Sequence, residues 1–81
     1  VNFAGRIVER GTRDPVAGAQ LVVEGRDVIS GEDGRFELTD VPEGTWPVTV
    51  IANDYEKYVI TETFTPGKRT EVTYFIRKKL Y

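Results

Sequence analysis

Breaks recur along this chain about every 8–12 residues, and between them apolar side chains alternate with polar ones, the spacing of an all-β sandwich or barrel. The breaks are the loop Gly11–Gly18 with Asp14-Pro15 inside it, then Gly25-Arg26-Asp27, Gly31-Glu32-Asp33-Gly34, Val41-Pro42-Glu43-Gly44, Asn53-Asp54 and Pro66-Gly67. Asp33-Gly34 reads as a hairpin signal, because both residue types tolerate the positive φ of tight turns. Ala19, Leu21 and Val23 alternate with Gln20, Val22 and Glu24. Phe36 and Leu38, then Val48, Val50 and Ala52 after Trp46, then Val72, Tyr74 and Ile76 repeat the pattern. Alternation at period two sends one set into a core and the other into water. No window has the 3.6-residue period of an amphipathic helix.

The reading is therefore seven strands, at about 2–9, 19–24, 27–30, 35–39, 46–52, 57–65 and 70–77. Short antiparallel strands bury their apolar faces by stacking two sheets. Pro47 cannot donate to a ladder, so it belongs at a strand start or beside an edge. Segment 57–65 is the least regular: Glu62 shares a face with Tyr58, Ile60 and Phe64, which predicts a bulge or an exposed end. With 81 residues there is room for one domain and one core, burying only about 60% of the unfolded chain's surface. A deep cleft is not expected.

The residue inventory excludes most chemistry. There is no Cys and no His, which removes disulfides, thiol nucleophiles, Cys-ligated zinc and the commonest general base and metal ligand. Ser30 stands beside a turn and reads as a strand-end hydroxyl rather than a nucleophile. Lys57, Lys68, Lys78 and Lys79 lie in polar stretches, against a Ser-Lys pair. Asp27, Glu32, Asp33, Asp40 and Glu43 read as solvated turn carboxylates. A glycosidase pair needs a sugar-sized cleft between its carboxyls, and calcium lacks its EF-hand spacing. Gly5, Gly18, Gly31, Gly34 and Gly44 read as turn geometry, since no Gly-Lys-Ser/Thr phosphate loop follows a strand. The net charge of -2 argues against nucleic acid. No apolar run approaches the ~20 residues of a membrane span, and the opening residues do not read as a charged-then-apolar signal peptide, which an excised segment would have lost. Opening on Val1 rather than Met reads as an excised fragment or mature segment. No enzyme activity and no cofactor are expected.

Four short segments, in order, resemble the carboxypeptidase regulatory-like domain family. Gly5-Arg6-Ile7-Val8-Glu9 is similar to its opening strand. Asp14 to Val23 (DPVAGAQLVV) resembles its P-[LV]-x-G-A-x-V-x-V stretch. Ser30 to Phe36 (SGEDGRF) and Val41 to Trp46 (VPEGTW) resemble its next two signatures. The resemblance implies an all-β, seven-stranded antiparallel β-sandwich of the transthyretin/prealbumin-like, Ig-like Greek-key type, over residues 1–77, with 78–81 starting a linker. One departure is Asp54 before Tyr55, where the family usually has Gly-Tyr. Some related surface-protein sandwiches close a Lys–Asn isopeptide bond from a first-strand Lys; Arg6 and the absence of Lys from that strand exclude it here.

The tail Arg77 to Tyr81 and the stretch Glu9 to Ala19 also resemble the domain that precedes the plug and barrel of TonB-dependent outer-membrane transporters. That implies a non-catalytic spacer or docking module, itself not membrane-spanning, on the periplasmic side of the bacterial outer membrane. Its partner would be an envelope protein or a neighbouring domain of the same chain. A glycan is the alternative, as in starch-binding-like relatives. Alternation turns Val22, Ile51 and Phe75 outward, and Tyr55 and Tyr58 present a ring with a wet hydroxyl. These five are the candidate interaction surface, provided the outward apolar residues merge. Trp46 matches the family's aromatic core position and reads as core.

Overall fold

The computed structural model of the chain describes residues 2–79. It contains β1 (Phe3–Glu9), β2 (Gln20–Val23), β3 (Arg26–Ile29), β4 (Arg35–Leu38), β5 (Gly44–Ile51), β6 (Tyr58–Phe64) and β7 (Thr70–Ile76), with no helix among those residues. Every strand lies within two residues of its expected bounds. The strands form a three-stranded sheet, β4-β1-β7, and a four-stranded sheet, β3-β2-β5-β6. The chain crosses between them after β1, β3, β4 and β6.

The core fills the space between the sheets. Phe3 and Ile7 on β1, Phe36 on β4 and Tyr74 and Ile76 on β7 meet Leu21, Val23, Val48, Val50 and Phe64. Phe3 is fully buried at the centre, edge-to-face with Phe36 at 5.2 Å and with Phe64 at 4.9 Å between ring centroids. Trp46 packs against this core and its Nε1–H donates to the Pro42 carbonyl at 2.9 Å.

Four local expectations need correction or sharpening. β1 and β7 pair in parallel, while every other pairing is antiparallel. Side-chain alternation is the same in both orientations, so periodicity could not reveal it. Parallel neighbours cannot share a tight turn, and here they are the first and last strands. Second, the turn at Gly31–Gly34 closes with a Gly34 N–H to Gly31 C=O bond of 2.9 Å, yet it joins strands of different sheets. It is an arch, not the hairpin that Asp-Gly suggested. The hairpin lies at Glu24-Gly25, joining β2 to β3. Third, β6 pairs with β5 in unbroken register from Gly44↔Phe64 to Val50↔Tyr58, without a bulge. Glu62 is tolerated on the inward face because it is half-buried and accepts a hydrogen bond from the Tyr74 hydroxyl at 3.1 Å.

The fourth concerns glycine. Gly5 is not a turn residue but sits mid-strand, where a Cβ would strike the Val72 carbonyl. Gly34 does serve the turn: its φ is 76°, and a Cβ there would come within 2.5 Å of the Ile7 carbonyl oxygen. Pro47 fits its constraint, because β2 pairs with β5 only from Val48 onward.

Candidate interaction surfaces

The register of the four-stranded sheet decides which outward residues meet. Gln20 stands between Ile29 and Ile51, and Val22 lies opposite Asp27 and Thr49, with Val59 beyond Thr49. Val22 is therefore ringed on its diagonals by Ile29, Ile51 and, across Thr49, Val59. Diagonal neighbours on one face are about 7–8 Å apart, so Val22, Ile51 and Val59 lie close on this face, with Ile29 at its β3 edge, where it also lines a depression with Arg6, Arg35 and Glu37 of the three-stranded sheet. Ile29, Ile51 and Val59 are 56%, 47% and 57% exposed. Gln20 Nε2 donates to Asp27 at 3.3 Å across the same face.

The other predicted surface residues lie elsewhere. Phe75 is on β7, in the opposite sheet, and 41% exposed. It lines an open depression of about 530 Å³ with Tyr58, Thr73, Arg10, Gly11 and Arg13. Tyr58 is half-buried, packing on Tyr74 at 5.5 Å between ring centroids. Tyr55 is committed internally: its hydroxyl donates to Glu9 Oε1 at 2.8 Å, fastening the β5–β6 loop to the end of β1. The five predicted residues thus separate into a pair on one sheet (Val22, Ile51), a pair beside the β7 edge (Tyr58, Phe75), and a clasp (Tyr55). Sequence reasoning missed Ile29 and Val59. Period two on β3 and β6 turns both outward, but only the register shows that they join Val22.

Electrostatics follow the same internal bonds. Hydrogen bonds from Tyr55 and, next, Thr12 hold the Glu9 carboxyl below its ordinary range. The reciprocal bond, with burial second, pushes the Tyr55 hydroxyl up to about 12. Burial, followed by the charge of Glu62, pushes the Tyr74 hydroxyl upward as well. These shifts come from fold-stabilising contacts.

The buried Ser30 hydroxyl donates to the Val16 carbonyl at 2.7 Å and accepts from the Ala19 N–H at 2.9 Å. It pins the arch and has no basic partner. Among the described residues, no three His, Cys, Asp or Glu side chains converge as metal ligands would. The near-parallel ring pair Phe36–Tyr74, at 6°, is buried and offers no stacking platform for a sugar. What the surface can do is bind through apolar contact and backbone edges.

A family model for the carboxypeptidase regulatory-like domain matches residues 2–76. The chain belongs to that family. The regulatory-like domain here is a small β-sandwich of seven strands. Its Asp54 departure has a structural counterpart: Asp54 holds φ at 69°, the left-handed conformation glycine adopts freely. No curated protein matches the chain.

Among solved structures, the fold is similar to one in a type II cohesin–X-dockerin complex from Acetivibrio cellulolyticus. That match has 22% identity and a TM-score of 0.72, covering 91% of this chain and 52% of that one. It is also similar to the pilus 2b backbone protein of group B streptococcus (13%, TM-score 0.77, 95% and 40%). A third is BcpA, the major pilin subunit of Bacillus cereus (15%, TM-score 0.75, 96% and 30%). At these identities the likeness concerns the fold. The regulatory-like domain spans about half the length of the first and less of the others.

Proposed function

We propose that this regulatory-like domain is a docking and spacing module of a bacterial cell-envelope protein, with the outer face of its four-stranded sheet as contact surface. The observation that carries the reading is the Ile29–Val22–Ile51–Val59 patch. It gathers three of the four large apolar side chains exposed among the described residues, and contiguous exposed apolar area marks contact sites where scattered residues do not. Similar sandwiches in pilus backbone proteins and in a cohesin–dockerin complex support a role in protein assemblies. In its finer form the proposal makes the domain the N-terminal extension of a TonB-dependent outer-membrane transporter, facing the periplasm. The support for that form is the sequence of Glu9 to Ala19 and of the Arg77 to Tyr81 tail.

The test is an amide NMR titration with the TonB C-terminal domain and, in parallel, with a longer polypeptide carrying the neighbouring domain. Shifts centred on Val22, Ile29, Ile51 and Val59 are expected with one of these probes. Silence of that face towards both would overturn the proposal. Oligosaccharide-dependent shifts at Trp46, Tyr55 or Tyr58 would instead favour a carbohydrate-binding module. A hydrolase or peptidase domain after Tyr81 in the parent gene would remove the transporter form.

A further inference from the structure

The second surface is the free edge of β7. Thr70 N–H donates to the Asn2 carbonyl, and the Ile76 carbonyl accepts from Arg10 N–H. In a strand, the N–H and C=O of one residue point to the same side, and the side alternates from residue to residue. Thr70, Val72, Tyr74 and Ile76 therefore face β1, while Glu71, Thr73 and Phe75 turn their backbone groups outward. β7 pairs with no strand on that side; the Tyr55–Lys78 bridge, with Glu56 N–H donating to the Arg77 carbonyl at 2.8 Å, covers the edge only beyond Ile76 and leaves Glu71, Thr73 and Phe75 uncovered by any backbone bond. Such an edge is a template for another strand.

We infer that a second copy of this chain occupies this edge, β7 against β7, antiparallel and centred on Thr73. In that register Thr73 faces Thr73 and Glu71 faces Phe75 of the other copy. All three outward residues then exchange both backbone hydrogen bonds with their opposites, and the two three-stranded sheets become one continuous sheet. The charges select this register. Arg10 and Arg13 line the depression beside Phe75, and neither guanidinium has an ion-pair partner among the described residues. The antiparallel arrangement delivers the second copy's Glu71 to that depression, twice by symmetry. Parallel pairing would set the two Glu71 side chains side by side and leave the arginines unmet. Glu71 is free to make the exchange, because its pair with Arg69 Nε at 3.3 Å is solvent-exposed on both sides and such pairs hold weakly. Opposed Thr73 hydroxyls add a favourable cross-strand pair.

This edge lies in the opposite sheet from the Val22–Ile51 patch, so its test is independent of the docking proposal. Sedimentation equilibrium of the chain should show a monomer–dimer equilibrium with a dissociation constant of about 0.01–1 mM, the regime of a small interface. In a mixture of differently isotope-labelled copies, intermolecular Hα–Hα contacts should join Val72 of one copy to Tyr74 of the other, since non-hydrogen-bonded antiparallel pairs approach most closely. Thr73→Pro deletes an N–H that serves no bond within the monomer, so the fold should persist, as for prolines on edge strands. The association constant should fall at least ~10-fold. Glu71→Arg should weaken association similarly, and Arg10→Glu with Arg13→Glu in that background should restore it. A chain that stays monomeric to about 1 mM overturns the inference. So does a dimer that survives both Thr73→Pro and Glu71→Arg, or one whose contacts join other residues.

Discussion

Replacing Ser30 by Ala removes one oxygen atom from a residue only 4% exposed, and with it two hydrogen bonds. The Ala19 N–H loses its acceptor and the Val16 carbonyl loses its donor, both at the bend that carries the chain into β2. The vacated volume is smaller than a water molecule's share of the liquid, so solvent cannot take the hydroxyl's place. A buried backbone group left unsatisfied costs about 1–3 kcal/mol. Two of them amount to roughly 2–6 kcal/mol, against a total stability of about 4–12 kcal/mol for a chain of this length. With a urea slope near 1 kcal/mol per molar for a small domain, the unfolding midpoint should drop by about 2 M or more. Urea titration followed by tryptophan fluorescence measures this, and Trp46 is the sole reporter. Native-state hydrogen exchange should show the Ala19 amide losing protection ahead of its neighbours in β2. A midpoint shift below about 0.5 M, with Ala19 protected as before, would refute the reasoning. Ser30 would then be the dispensable strand-end hydroxyl that its sequence position suggests.

Two further outcomes are expected. In Tyr55→Phe, Glu9 loses its strongest hydrogen-bond donor, so an NMR titration should find its pKa moved up towards the ordinary carboxylate value. Because the folded pKa of Glu9 is depressed, its contribution is present above the unfolded pKa and is lost as pH falls through the folded one. The wild type should therefore lose more stability on acidification than Tyr55→Phe. The raised Tyr55 hydroxyl acts at the other end: its contribution is present below pH ~10 and is lost as pH rises through about 12. Asp54→Gly relieves a left-handed residue at φ 69° and should be neutral or stabilising by up to about 1 kcal/mol, read as a rise in melting temperature. A clear destabilisation would mean that the Asp54 side chain contributes something its backbone geometry does not reveal.

Strand count, the bounds of each strand and most of the core followed from the sequence, because breaks and period two are local properties that neighbouring residues encode. Leu21, Val23, Val48, Val50, Tyr74 and Ile76 face inward as alternation requires. Alternation equally turned Val22, Ile51 and Phe75 outward. It could not say that the first two share a sheet and the third does not, because sheet membership depends on where the chain crosses over. Nor could it foresee the parallel β1–β7 pair, the arch at Gly31–Gly34 or the clash that keeps Gly5 bare, each of which depends on a segment distant in sequence. Ser30 shows the division most clearly. Its neighbours in sequence make it a turn hydroxyl, and only the folded chain brings Val16 and Ala19 within reach of it. Period and punctuation determine the strands; the register between strands, a long-range property, decides which surfaces exist.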